Sequence, residues 1–274
     1  MIDVKVDNTN NLCGQRKKFH KTLIQNGYDV QPGEYPWHAA IFLRKESDSP
    51  NTDYICGGSL VSKSTVITAG HCVHENYHII ISQRFLVKLG LHNRLLASSN
   101  TQELRVYEIL VPPIFDVKSS KNDIALLKLS NYVQFNDYIK PVCLWPAKYI
   151  ELNSIVGKTG MVIGWGLDEK SQLSNILKAA KMPVISQINC LESNRAFFGE
   201  HLSVNNYCAG YRNGTSVCNG DSGGGMVFEI NGLFYLRGIV SLAEAIPEIN
   251  QCNPREYVLF TDAAKFLDFI QNNI

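Results

Sequence analysis

The chain has 274 residues, 45% of them hydrophobic and 19% charged, the make-up of a soluble globular chain able to bury a sizeable core. A net charge of +1 offers no general field for nucleic acid or an acidic membrane, and no stretch approaches the roughly eighteen apolar residues of a membrane helix. Eight cysteines suggest disulfides and an oxidising compartment, while the lack of a Cys-x2-Cys pair with matching histidines argues against zinc.

Residues 1–23 are polar and lysine-rich, with no charged region leading into an apolar stretch, so Met1 does not begin a signal peptide. The expectation is either an artificially trimmed chain or the C-terminal part of a longer precursor with upstream modules. Short β-type runs follow, separated by turn residues: Ile41-Phe42-Leu43, Val66-Ile67-Thr68, Phe85-Leu86-Val87-Lys88-Leu89, Ile124-Ala125-Leu126-Leu127 and Leu236-Arg237-Gly238-Ile239-Val240. The pattern is all-β and barrel-like. Its exception is the end, where Ala263, Phe266, Leu267 and Ile270 recur at helical spacing behind a cap at Thr261 or Asp262, predicting a helix over 261–273. Repeats and low-complexity tracts are absent from the sequence.

Three motifs carry chemistry: Thr68-Ala69-Gly70-His71-Cys72, Asn122-Asp123-Ile124-Ala125-Leu126 and Gly220-Asp221-Ser222-Gly223-Gly224. A serine hydroxyl is a poor nucleophile until an imidazole takes its proton, and a buried carboxylate must hold that imidazole in one tautomer. His71, Asp123 and Ser222 supply these groups, and the apolar run after Asp123 would bury it. A tetrahedral oxyanion needs preset N–H donors, for which Gly220 and Ser222 are the candidates. Gly-x-Ser-x-Gly also suits an α/β-hydrolase, but that fold runs Ser, Asp, His and opens a helix after the serine. Here the order is His, Asp, Ser, and Ser222 leads into a strand-like run over 226–230.

Together with Pro36-Trp37-His38-Ala39-Ala40-Ile41, Cys56-Gly57-Gly58-Ser59-Leu60, Gly164-Trp165-Gly166 and Gly238-Ile239-Val240-Ser241, these motifs resemble the chymotrypsin or trypsin-like (S1) serine proteases over residues 24–274. The resemblance implies two six-stranded antiparallel β-barrels, about 24–135 and 136–260, a triad in the cleft between them, a C-terminal α-helix, and a light-chain or propeptide-like segment over 1–23. It implies the disulfides Cys56 with Cys72, Cys190 with Cys208, Cys218 with Cys252 and Cys13 with Cys143, each contributing about 2 to 4 kcal/mol. A further bridge common in the family would join the positions of Gly160 and Phe228, and both cysteines are absent together.

Ile24-Gln25-Asn26-Gly27 stands where the family has the N-terminus freed by zymogen cleavage, which pairs with the aspartate before the serine, here Asp221. The residue before the cut is Leu23, which suits a chymotrypsin-like activator or self-activation. Ser216, followed by Val217, occupies the position of trypsin's pocket aspartate, so a basic P1 residue loses its counter-charge. Pro254-Arg255 stands where the family has Pro-Gly. Arg255 would bind an acidic side chain or turn towards Glu244, Glu248 or Glu256, leaving P1 preference either acidic or apolar. Ala243, where glycine is common, would narrow the pocket entrance, Leu242 replaces the usual tryptophan of the pocket rim, and Ser241 is expected to bond Asp123.

No metal and no cofactor is expected: the family's calcium loop aligns with Leu91-His92-Asn93 and only Glu103, and His74, His78, His92 and His201 read as solvated loop residues. Asn213-Gly214-Thr215 is a glycosylation sequon. The implied protein is a secreted, extracellular, monomeric zymogen acting on protein substrates and met by a protein inhibitor. A narrower likeness links 13–14, 32–41 and 223–225 to arthropod haemolymph proteases of the gastrulation-defective-like and modular type, which act in immune or developmental cascades. A catalytically silent homologue that binds within such a cascade is the competing class.

Overall fold

Short apolar runs divided by glycine and asparagine turns close into two barrels in this computed structural model, which describes residues 13–17, 27–46, 49, 51–167, 172–214, 217, 219–246 and 251–274. The first barrel comprises β1 (His38–Arg44), β2 (Thr52–Leu60), β3 (Thr65–Thr68), β4 (Phe85–Leu89), β5 (Gln102–Leu110) and β6 (Ala125–Leu129). Its ring runs β1-β2-β3-β6-β5-β4. The second comprises β7 (Thr159–Gly164), β8 (Lys178–Ile185), β9 (Asn206–Ala209), β10 (Gly225–Ile230), β11 (Leu233–Ala243) and β12 (Val258–Asp262). It closes as β7-β8-β9-β12-β11-β10, the same order, and every pairing within the two rings is antiparallel.

Buried apolar residues on both faces of the strands pack around each barrel. Ile41, Val66, Ile67, Phe85, Leu126 and Leu127 pack the first, while Val162, Met182, Val184, Tyr207, Met226 and Phe260 pack the second. Each such aliphatic side chain contributes about 1.5 to 3 kcal/mol on burial. Phe228 Cζ lies 2.9 Å from where a Cβ on Gly160 would stand, so an aromatic ring occupies the space of the absent bridge.

The chain ends cross between barrels, which moves two sequence-based boundaries. Tyr28–Asp29 pairs with Lys178 and Ala179 of β8, so this stretch joins the second barrel although it precedes the first. At the other end, Phe266 and Ile270 pack into the first barrel's cluster and Lys128 Nζ donates to Asn273 O at 2.6 Å. The predicted helix over 261–273 is shorter than its periodicity suggested. Thr261 and Asp262 finish β12, the Asp262 carboxylate accepts from Ala264 N, a 3-10 turn spans Ala263–Phe266, and α-helix covers only Leu267–Gln271.

Two helices before β9 interrupt the otherwise β pattern: Gln187–Ser193 and Arg195–His201. Each begins on a side-chain cap: Ser186 Oγ accepts from Asn189 N and Asn194 Oδ1 from Phe197 N. Too short to show an apolar period, they lean on Phe198 and the bonded pair Cys190–Cys208. Cys13–Cys143 and Cys56–Cys72 are also formed. Cys252 is disulfide-bonded, and its expected partner Cys218 lies outside the described residues.

Candidate active site

His71 sits on a 3-10 turn, Gly70–Val73, directly after β3, and Cys72 staples that turn to Cys56 of β2. Gly70 lets the turn pack closely: a Cβ there would stand 3.1 Å from the Phe115 ring and 3.2 Å from Asp123 Oδ1, so both would have to give by a few tenths of an ångström. Asp123 enters β6 behind Asn122, whose backbone is left-handed at φ 59°. The Asn122 amide donates to Ile114 O, and Asn205 of the second barrel donates to Asn122 Oδ1 at 2.8 Å.

The Asp123 carboxylate is fully buried and bonded on both oxygens. His71 N donates to Oδ1 at 2.8 Å; His71 Nδ1, at 2.7 Å, and Ser241 Oγ, at 2.6 Å, donate to Oδ2. Burial alone would raise this carboxyl's pKa, but the His71 charge and these bonds outweigh it and hold it below the ordinary value. Burial would likewise lower the His71 pKa, and the Asp123 charge and bond reverse that and raise it. An ionised carboxylate only accepts, so Nδ1 carries the proton and Nε2 keeps its lone pair; its neighbour at 3.7 Å, the Cys72 sulfur, is in a disulfide and has no proton to give.

Ser222 comes from the loop before β10. Gly57 N donates to Ser222 O at 2.8 Å and Gly223 N to Val240 O at 2.8 Å, which clips the loop between both barrels. Gly223 is left-handed at φ 75°, and a Cβ there would strike Thr68 Oγ1 and Gly57 O. The Ser222 loop therefore lies against Gly57 within β2 and Thr68 at the end of β3, the strand that leads to His71. Ser222 Oγ makes no hydrogen bond to a described residue; in substrate-free sites the bond to the base is commonly long and tightens on binding. The N–H groups of Gly220 and Ser222 also make none and remain open to an incoming oxygen.

A family model described as Trypsin matches residues 24–270. The chain belongs to the trypsin family of serine proteases, whose class is that of serine endopeptidases. It is 32% identical to phenoloxidase-activating factor 1 of Holotrichia diomphalia over 280 residues, covering 96% of this chain and 73% of that one. It is 32% identical to serine protease gd of Drosophila melanogaster over 275 residues, 88% of this chain and 51% of that protein, so it spans about half of that relative's length. Coagulation factor IX of Cavia porcellus is 29% identical over 251 residues, 90% of this chain and 80% of the relative.

Within this trypsin-family domain the Asp221 carboxylate is 8% exposed and accepts from Gly166 N at 2.8 Å. It occupies the slot between Gly164 and Gly166, where any Cβ would overlap it, which explains the glycines of Gly164-Trp165-Gly166. Leu23, Ile24 and Ser216 lie outside the described residues. Of the pocket residues, Val217 is buried, Leu242 and Ala243 are half-buried, and Ser241 reaches Asp123.

Arg255 does not turn to Glu244 or Glu256. Asn194 and Asn253 amides hold the two oxygens of Glu244, at 2.7 and 2.8 Å, and Arg212 pairs with Glu256 at 3.0 Å. Arg255 is exposed on a turn fixed by Arg212 Nε donating to Arg255 O, and its guanidinium meets no carboxylate among the described residues. Glu248 lies outside the described residues, as does Thr215 of the sequon, while Asn213 is exposed.

Three histidines expected to be solvated are bonded instead, because each lies within reach of a turn carbonyl. His74 Nδ1 donates to Gly70 O, His92 Nε2 to Val30 O and His201 Nδ1 to Ser119 O, while Glu103 pairs with Lys88. Among the described residues the one grouping with metal-type donors is Cys56, His71 and Cys72, and its thiols are joined in a disulfide. Two side chains outside the motifs also reach the site. Thr261 Oγ1 donates to Asp123 O at 2.8 Å, and Tyr54 Oη donates to Gly220 O at 2.6 Å. Tyr54 stands two residues before Cys56-Gly57-Gly58, the only hint that sequence offered.

Proposed function

We propose that this chain is a secreted serine endopeptidase, held as a zymogen until cleavage after Leu23, that hydrolyses peptide bonds through an acyl-enzyme on Ser222. The observation that carries the reading is the buried Asp123, bonded to His71 Nδ1 and Ser241, with the Ser222 loop clipped to Gly57 of β2. His71 Nε2 takes the proton from Ser222 Oγ as that oxygen attacks the scissile carbonyl. The oxyanion is received by the N–H groups of Gly220 and Ser222, and His71 then gives the proton to the leaving amine. Water repeats the sequence to release the acid.

Cleavage after Leu23 frees the Ile24 ammonium, whose partner is Asp221, a buried carboxylate in a glycine-lined slot. Preference at P1 is not trypsin-like. Exposure of Arg255 favours an apolar residue beside Val217 over an acidic one. The names of two relatives, a phenoloxidase-activating factor and a coagulation factor, support protein substrates within a protease cascade; an upstream activator and a protein inhibitor are the partners such a role calls for. Bonded cysteines support an oxidising, extracellular setting, with Asn213 glycosylated, and no helix among the described residues is long and apolar enough to cross a membrane.

The test is a P1-randomised peptide library treated with material cut at Leu23-Ile24, with Ser222→Ala as the blank. Cleavage after Leu or Phe supports the apolar pocket, and cleavage after Asp or Glu places Arg255 in it. Cleavage by the uncut chain at the same rate would overturn the zymogen reading. Absence of Ser222-dependent cleavage would make the chain a silent binding homologue.

A further inference from the structure

Behind the oxyanion donors lies a buried phenol that the triad chemistry does not use. Gly220 is left-handed at φ 95° and has no side chain to restrain it, so the Gly220-Asp221 peptide can turn unless something holds its carbonyl. That peptide lies between the two donors, Gly220 N and Ser222 N, and its rotation would carry both out of alignment. Tyr54 Oη donates to Gly220 O at 2.6 Å, across 166 residues and from the opposite barrel. The Tyr54 ring is 9% exposed and fixed edge-on between Phe42 and Trp165, each 5.6 Å away between centroids. Trp165 in turn stands between Gly164 and Gly166, the residues that seat the Asp221 carboxylate.

We propose that Tyr54 is a positioning residue for the oxyanion site, its phenol pinning the Gly220-Asp221 peptide so that the flanking N–H groups stay aimed at the developing oxyanion. The proposal rests on the peptidase reading above. Burial, and then the Asp221 charge, hold the phenol's pKa well above its ordinary value, so it remains a donor throughout the range in which His71 acts as base.

Tyr54→Phe keeps the ring between Phe42 and Trp165 and removes only the donor. Deleting an oxyanion donor outright costs about 100- to 1000-fold in kcat, and loosening one through its peptide should cost about 10- to 100-fold. The measurement is kcat and KM on the peptide anilide best cleaved by the parent, normalised to sites titrated with a fluorophosphonate, together with inhibition by a peptide boronic acid. The expected result is a loss in kcat per titrated site, KM within about two-fold, an unmoved pH midpoint and a boronate weakened by a similar factor.

Parental kcat in Tyr54→Phe, or a loss seen only as fewer titratable sites or carried by KM, overturns the proposal while leaving the peptidase reading intact. A parent without Ser222-dependent turnover overturns both.

Discussion

The two barrels share one strand order and yet bring their halves of the site together by different means. The first barrel delivers His71 and Asp123 through side chains bonded to side chains, stapled by Cys56–Cys72. The second delivers Ser222 through backbone, on a run in which Gly223 and Gly225 approach Thr68, Gly57 and Ser59 too closely for any Cβ. One half is built on charge and the other on shape, so they should break differently.

Removing a triad group gives the largest effect. Ser222→Ala or His71→Ala should each lower kcat by about a million-fold. Asp123→Asn should cost about 10,000-fold, and should also move the pH profile. The base works only when neutral, and Asp123 raises the His71 pKa, so parental kcat/KM should rise with pH through a midpoint above about 6.5. The asparagine variant should shift that rise to lower pH, and an unmoved midpoint would refute the charge argument.

On the shape side, Gly223→Ala changes no charge but puts a Cβ into Thr68 Oγ1 and Gly57 O at a left-handed residue. Urea unfolding should show a loss of about 2 to 4 kcal/mol, with fluorophosphonate labelling of Ser222 lost. Full labelling would mean that the loop tolerates displacement.

His38 offers a third contrast, a histidine of the first barrel that is 4% exposed, tilted on Trp165, with Nε2 unpartnered. Burial lowers its pKa to about 3, against about 6.5 when unfolded. Below pH 6.5 the unfolded chain binds a proton that the folded chain refuses, so stability falls by about 1.4 kcal/mol per pH unit towards pH 3. His38→Met should remove that slope from urea midpoints between pH 7 and 5, and parallel curves would reject it.

The smallest effect belongs to Ser241→Ala, which takes one 2.6 Å bond from Asp123. A bond to a charged group is worth about 1.5 kcal/mol or more, so kcat/KM should fall about tenfold. A ratio within two-fold of the parent would show that His71 alone suffices to hold the carboxylate.

Legibility followed the same division. His71, Asp123 and Ser222 were readable as candidates because nucleophile chemistry demands those residue types, and the strands because their apolar runs are short and bounded by turns. Pairings such as Cys13–Cys143 became readable through the family resemblance. The helices at 187–193 and 195–201 were not, because seven residues are too few to display a period. That Glu244 and Glu256 take partners other than Arg255, and that His74, His92 and His201 are bonded, was hidden for a related reason: whether a charged or polar side chain meets water or a carbonyl depends on which turn folds beside it. Tyr54 was invisible as a functional residue, since its partner Gly220 lies 166 positions away in the other barrel.

By itself, then, the sequence determined the reaction class, because a protonatable base, a buried acid and a hydroxyl in one order admit few chemistries. Only the tertiary structure decided that residues 28–29 strap the second barrel while the C-terminal helix braces the first, that Arg255 faces water, and that a phenol reaches the oxyanion peptide. Those outcomes depend on distances between segments remote in sequence, which close packing of two barrels sets and no local pattern records.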